Sequence, residues 1–298
     1  MTKNKAGLAY IISDFVASAI AWSLFYVFRR MYIEPLKYGY EVDIFYFDTN
    51  YFLAVILIPL MWVLLFSIFG SYRNIYRKSR FKELGQTLSL VFMGTVILFF
   101  SLLLNDEVYS YKAYPLTFTV LFALLFTFIF GFRLIWLTTI KNKLKSRIIG
   151  FNTLLVGSNQ KALNLYNELE SSRYSQGYRI LGYVNIGNEQ PSVLRAFLPH
   201  IGNYRQLPRL IKDYAAEEVI IAMETSEHET LSEILSYVEG EEINVKVIPD
   251  MYDIISGTVR LNYIFGTALI EVMPEIMPVW QQNIKRIMDI GLSFLVLT

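Results

Sequence analysis

Four long apolar stretches limit what this chain can fold into more than anything else in it. They run roughly Ala6–Phe28, Tyr51–Gly70, Leu88–Leu104 and Leu116–Leu137. About 20 such residues are what a helix needs to cross a hydrocarbon core, so each is read as a transmembrane span. The first is too long for a cleaved signal peptide and lacks a small-residue cleavage site. Composition agrees: 54% of the residues are hydrophobic and only 18% are charged, against about 25% charged in an ordinary soluble domain. One acid, Asp14, interrupts the first span. A carboxylate there is costly in lipid and is expected to face other helices or water.

Lysine and arginine near the span ends set the expected orientation. Lys3 and Lys5 precede the first span. The loop after the second carries Arg73, Arg77, Lys78, Arg80 and Lys82, and Lys141, Lys143, Lys145 and Arg147 follow the fourth. Both ends of the bundle are therefore expected in the cytoplasm, with the chain multi-pass in a membrane. Arg29 and Arg30 fall on the opposite side and are the one discordant feature. The "RNIYRKSRFK" run reads as a topology signal, with an anionic lipid or phosphorylated carrier as its other use.

Other classes of function drop out early. There is no cysteine, which removes disulfides, thiolate metal sites and a cysteine nucleophile. Only His200 and His228 are present and the net charge is +1, so neither a histidine metal centre nor a nucleic-acid partner is expected.

The pattern changes after Arg147. "NTLLVGS" followed by "NQKALNLYNELE" reads as strand, turn and helix. "YRILGYVN", "EEVIIAM" and "INVKVIP" read as further strands, and "QLPRLIKDYA" and "SEHETLSEILSYVEG" as helices, the latter capped by Ser226 and Glu229 and closed by Gly240. Alternating strands and helices predict a parallel sheet with helices on both faces. The expected organisation is a transmembrane domain over 1–147, a Rossmann-like α/β domain over 148–273, a linker over 274–283 and a short tail over 284–298. Within 250–273 a short helix and a strand–turn–strand around Gly266 are expected.

The turn "VGSNQKA" is the candidate ligand site of the α/β domain. A dinucleotide turn has the form G-x-G-x-x-G. Here Gly157 matches, Ser158 follows, and Asn159 and Ala162 stand where the other glycines belong. Asn185 ends the second strand where an acid would hold a ribose. The turn is read as structural, without a bound cofactor. A phosphate on the free helix N–H groups is the other reading, which nucleotide titration decides.

The last stretch, "IKRIMDIGLSFLVLT", has a basic start and an apolar body. Lys285, Asp289 and Ser293 share one helical face. With Arg286 they form K-R-x-x-D-x-x-x-S, which resembles the opening of the catalytic domain in bacterial polyprenyl-phosphate sugar-1-phosphate transferases. "QGYRILGYV" and "VKVIPDMYDIISGTVRL" also resemble segments of the large members of that family. The resemblance implies four transmembrane helices, a Rossmann-like cytoplasmic domain and the start of a re-entrant membrane helix. It further implies transfer of a sugar phosphate from a nucleoside diphosphate sugar to undecaprenyl phosphate, with Mg²⁺ and an Asp-Glu pair, in exopolysaccharide, capsule or O-antigen assembly. No such pair follows Ser293 here, and Asp289 belongs to the membrane-entering helix. The chain alone is therefore expected to be inactive, truncated at the start of a catalytic domain and able to form a homodimer. Two alternatives stand beside it: part of a membrane nucleoside-diphosphate-sugar dehydratase, and a non-catalytic scaffold of polysaccharide assembly.

Overall fold

The structure, a computed structural model, describes residues 3–35, 47–103, 113–171, 177–187, 193–223, 228–241, 243–248, 269–272, 281–286, 288–289 and 293. They form two compact units, Met1–Lys141 with Met277–Thr298, and Asn142–Ile276.

The first unit is built on α1 (Lys3–Phe28), α2 (Thr49–Ile68), α3 (Arg80–Leu98) and α4 (Ala113–Lys145). All four are long and apolar enough to cross a membrane. Two start at side-chain caps. Asp48 accepts from the Tyr51 N–H at 2.8 Å and Ser79 from the Lys82 N–H at 3.1 Å, each satisfying a donor the first helical turn leaves open. α1 and α3 each run on into a π-helical segment, Arg29–Ile33 and Phe99–Leu103. α3 begins at Arg80 and α4 runs to Lys145, so both helices are longer than their apolar stretches.

Inside the bundle, Trp62 and Phe66 of α2 pack among Ala17, Ala21 and Phe25 of α1 and Leu121, Leu125 and Ile129 of α4. Gly94 of α3 makes room for Trp62, because a Cβ there would run into the indole ring. The outward faces are apolar too. On α1, Leu8, Ile12, Val16, Ile20 and Leu24 are exposed at every fourth position, while Tyr10, Asp14, Ala17, Ala21 and Phe25 are buried.

The second unit is a six-stranded sheet in the order β3-β2-β1-β4-β5-β6. The strands are β1 (Phe151–Val156), β2 (Tyr178–Asn185), β3 (His200–Asn203), β4 (Glu218–Ile221), β5 (Asn244–Val247) and β6 (Ile270–Glu271). The first five run parallel, whereas β6 pairs antiparallel with β5. The sheet is thus mixed rather than purely parallel. Among the described residues three α-helices accompany it: α5 (Gln160–Ser171), α6 (Leu207–Asp213) and α7 (His228–Val238). Alternate residues of the central strands feed two separate cores. Leu154, Val156, Val219 and Ile221 pack with Leu207, Leu210 and Ile234. Leu155 and Ile220 pack with Ala162, Leu165 and Leu169. Burial on both faces explains why β1 and β4 read as unbroken apolar runs.

Gly240 closes α7 at φ +87°, the left-handed conformation that glycine adopts at a helix end. Ser226, the Asp250 helix, Gly266 and most of the 274–283 linker lie outside the described residues, as do the apolar residues expected to begin a re-entrant helix, apart from Ser293.

Candidate functional site

In a parallel α/β sheet, ligands bind beyond the carboxyl ends of the strands, where the strand order reverses. Here that point lies between β1 and β4, since the chain goes from β1 to β2 on one side and later to β4 on the other. The Gly157–Ser158–Asn159 turn sits there, joining β1 to α5.

Its glycine has a local reason to exist. Gly157 adopts φ +137°, and a Cβ would run into the backbone carbonyl oxygen of Ala222, just past β4. Its N–H donates to the Val184 carbonyl at 3.0 Å, extending the β1–β2 pairing. Asn159 turns its side chain back on the helix: Oδ1 accepts from the Ala162 N–H at 3.0 Å, while its carbonyl accepts from the Leu163 N–H at 3.2 Å. Three of the N–H groups around the turn are therefore engaged within the fold. Asn185 ends β2 on the same edge, and its Oδ1 is buried without a hydrogen-bond partner among the described residues.

A second polar constellation lies inside the helical unit. The Arg133 guanidinium on α4 is 1% exposed and is ringed by acids and hydroxyls. Its Nε donates to Asp14 Oδ1 at 3.0 Å and its Nη2 to Asp14 Oδ2 at 2.6 Å. Its Nη1 donates to Glu83 Oε1 at 2.8 Å and to Thr87 Oγ1 at 3.1 Å. Lys78 Nζ reaches Glu83 Oε2 and the Ser71 carbonyl, both at 2.6 Å. Tyr72 donates to Asp14 Oδ2 at 3.0 Å and Tyr10 to Glu83 Oε1 at 3.1 Å. The Phe66 ring lies 3.8 Å from the guanidinium carbon.

Two carboxylates and two cations are thus held together with their polar atoms satisfied. Burial pulls Lys78 below its ordinary pKa, with Glu83 opposing the shift. Burial, aided by the Asp14 charge, pushes the Tyr72 phenol up. The network ties α1, the loop before α3, α3 itself and α4 into one register, as buried polar groups can.

Asp14 therefore faces other helices, as its place in an apolar stretch demands. Its partner Arg133, and the Glu83–Lys78 pair that completes the network, escaped sequence reasoning. The available signal was an arginine inside the fourth apolar stretch, because opposite charges within apolar helices need one another.

Lys285, Arg286, Asp289 and Ser293 are all exposed. Ser293 Oγ donates to the Asp289 carbonyl at 2.7 Å, an ordinary helical contact. Beside them Asn283 Nδ2 donates to the Ile68 carbonyl at 2.7 Å. Among the described residues no group of three or more His, Cys, Asp and Glu side chains is arranged to hold a metal ion.

A family model described as a CoA-binding domain matches residues 67–249, well over half of the chain and a part of both units. The chain belongs to that family. This family member is also 24% identical to the capsular polysaccharide biosynthesis protein CapD of Staphylococcus aureus over 265 residues, 88% of the chain and 42% of CapD. It thus spans about two fifths of that relative's length. The crystal structure of UDP-D-quinovosamine 4-dehydrogenase from Vibrio fischeri is 17% identical, covering 42% of this chain and 94% of that chain at a TM-score of 0.28. At that score the likeness says nothing about the site.

The family match and the similarity to a capsular polysaccharide biosynthesis protein overturn the transferase resemblance. The K-R-x-x-D-x-x-x-S residues quoted for it, Lys285, Arg286, Asp289 and Ser293, lie outside the matched 67–249 segment, whereas "QGYRILGYV" lies inside it and so goes with the CoA-binding-domain family. Spacings of four with a basic start are what any amphipathic helix at a membrane surface can show, so four identities did not suffice to name a family. The sugar-phosphate transfer to undecaprenyl phosphate rested on that resemblance and goes with it.

Proposed function

We propose that this family member is a membrane-anchored module of surface-polysaccharide biosynthesis, serving enzymes that modify nucleoside diphosphate sugars. The observation that carries the reading is the similarity to a capsular polysaccharide biosynthesis protein along 88% of the chain, through both units. It fits the dehydratase alternative drawn from the sequence, in which a four-helix unit and a Rossmann-like unit accompany a separate catalytic domain.

In this reading α1–α4 cross the bacterial cytoplasmic membrane, with the amino terminus and the α/β unit in the cytoplasm. The inverted dressing of α1 supports it: a leucine, isoleucine and valine stripe outside, Asp14 and Tyr10 inside. A water-soluble bundle has the opposite arrangement. The bundle anchors, and the α/β unit presents a docking surface.

The Gly157 turn is structural in this reading. A bound pyrophosphate needs open N–H groups and close backbone approach. The Gly157 and Ala162 N–H groups are engaged, and Asn159 occupies the second glycine position with its side chain folded over the helix end. Titration of the full chain with CoA, NAD and a UDP-sugar is expected to show no saturable micromolar binding, and such binding sinks the structural reading. The function itself is tested by deleting the reading frame in its host. Surface polysaccharide should fall and an unmodified nucleotide sugar should accumulate. Unchanged polysaccharide with an unchanged nucleotide-sugar pool refutes the proposal.

A further inference from the structure

A cavity of about 480 Å³ opens between the carboxyl end of α1 and the amino end of α2. It falls inside the range of about 300–1,000 Å³ found for ligand sites. It lies at the opposite end of α1 and α2 from the Arg133 network. Its lining changes along its length. Arg29, Arg30, Glu34 and Asp48 stand at the helix ends, whereas Trp22, Ala54, Leu57 and Ile58 lie further along the helices. Trp22 and Arg30 are eight residues apart, or about 12 Å along a helix at 1.5 Å per residue.

The polar end is built rather than incidental. Arg30 Nη1 donates to Tyr26 Oη at 3.0 Å, and Tyr26 Oη donates to Asp48 Oδ1 at 3.2 Å. Glu34 Oε2 stands 3.9 Å from Arg30 Nε. Both arginines belong to the π-helical segment Arg29–Ile33, a helical form that recurs at functional sites. Trp22 is 7% exposed and its buried Nε1 has no acceptor among the described residues. A buried indole N–H usually finds one.

Arg29 and Arg30 are also the charges that run against the topology expected from the other basic residues, so their presence calls for a local reason. Two cations and two carboxylates at the mouth match a headgroup that carries one phosphate and one ammonium. The apolar depth matches the chains of the same molecule.

We propose that this cavity binds a phospholipid with a phosphate–ammonium headgroup of the ethanolamine type. The phosphate meets Arg29 and Arg30, the ammonium meets Glu34 and Asp48, and the acyl chains pass Ala54, Leu57 and Ile58. The inference rests on the membrane-anchored reading above.

The test uses the full chain, purified in mild detergent from a bacterium containing both ethanolamine and glycerol phospholipids, with bound lipid measured by mass spectrometry. Retention of ethanolamine lipid above its membrane share is expected, together with a rise in melting temperature on adding it back. The double change Arg29→Gln and Arg30→Gln should lower retention about tenfold, the equivalent of losing one charge-assisted hydrogen bond. Ala54→Phe, which fills the apolar floor and leaves every charge in place, should lower it too. Absence of retained phospholipid, retention by either variant at the level of the unchanged chain, an equal response to glycerol phospholipid, or a response to inorganic phosphate alone overturns the proposal. A parallel alkaline wash separates the two ideas. Chain in the membrane pellet without bound lipid refutes the site alone, whereas chain in the supernatant refutes the anchoring as well.

Discussion

Replacing Arg133 by methionine should be among the most damaging single changes available in the helical unit. The side chain makes five hydrogen-bond contacts, three to Asp14 and one each to Glu83 and Thr87. The network is neutral as it stands, with Asp14 and Glu83 against Arg133 and Lys78. Methionine fills much of the space but leaves a net charge of −1 among groups that are 0% and 1% exposed at Asp14 and Glu83. Breaking a buried ion pair from one side costs about 3–5 kcal/mol, which is about a hundred- to several-thousand-fold in the folding equilibrium. The cost comes from the stranded carboxylates, so removing one of them should return part of it. Asp14→Asn on top of Arg133→Met leaves Lys78 paired with Glu83, and this double variant should be more stable than Arg133→Met alone. Denaturant unfolding in detergent can be followed by tryptophan fluorescence, because Trp62 packs on Phe66, against which the guanidinium lies. A single variant within about 0.5 kcal/mol of the parent, the range of ordinary surface changes, refutes the reasoning. So does a double variant that is less stable than the single one.

Three further checks address the α/β unit and the chain's topology. Gly157→Ala forces a Cβ toward the Ala222 carbonyl at φ +137° and should cost about 1–3 kcal/mol, read by hydrogen exchange at β1 and β4; an unchanged exchange profile contradicts it. Burial alone lowers the Lys246 pKa, but the Glu218 carboxylate and Tyr178 outweigh it and hold the group above 10.5. Its stabilising contribution is therefore full below about pH 10.5 and is lost as the pH climbs through the folded value. Lys246→Met should flatten that alkaline part of the stability profile, and identical profiles for the two chains count against it. Because the chain has no cysteine, single replacements report topology cleanly: a membrane-impermeant maleimide should label Asp106→Cys in intact cells and spare Lys82→Cys, and the reverse pattern inverts the orientation.

The α/β order and the four apolar helices were legible because burial leaves a direct mark on sequence. β1 and β4 are buried on both faces and read as continuous apolar runs, and α5 shows its inward face at Ala162, Leu165 and Leu169. The sheet order was not legible, since β1 pairs with both β2 and β4 through contacts far apart in sequence. The antiparallel pairing of β6 escaped for the same reason, although the second strand expected after Gly266 covers Ile270–Glu271. Gly157 was noticed for its place in a ligand motif, although its observed constraint is the carbonyl of Ala222, which no local pattern encodes. Asp14 was visible as an anomaly, but which residue answers it depends on how four helices are rotated. In an apolar helix periodicity says little about rotation, because inward and outward faces are both hydrophobic. The tail misled for a chemical reason: basic, acidic and small polar residues at intervals of four serve many membrane-surface helices equally well.

The span of the Arg133–Asp14 pair, 119 residues along the chain, has a consequence for biogenesis. A ribosome delivers Asp14 first, then Lys78 with Glu83, and Arg133 last. Glu83 meets its cation five residues away as soon as both are made, but Asp14 has to wait for the fourth helix. In the proposed membrane setting, a chain arrested before that helix carries a carboxylate without its arginine in its first apolar segment, a state that lipid tolerates poorly. The fourth helix is thus the latch of the bundle: until it arrives, the acid of the first has no arginine to answer it.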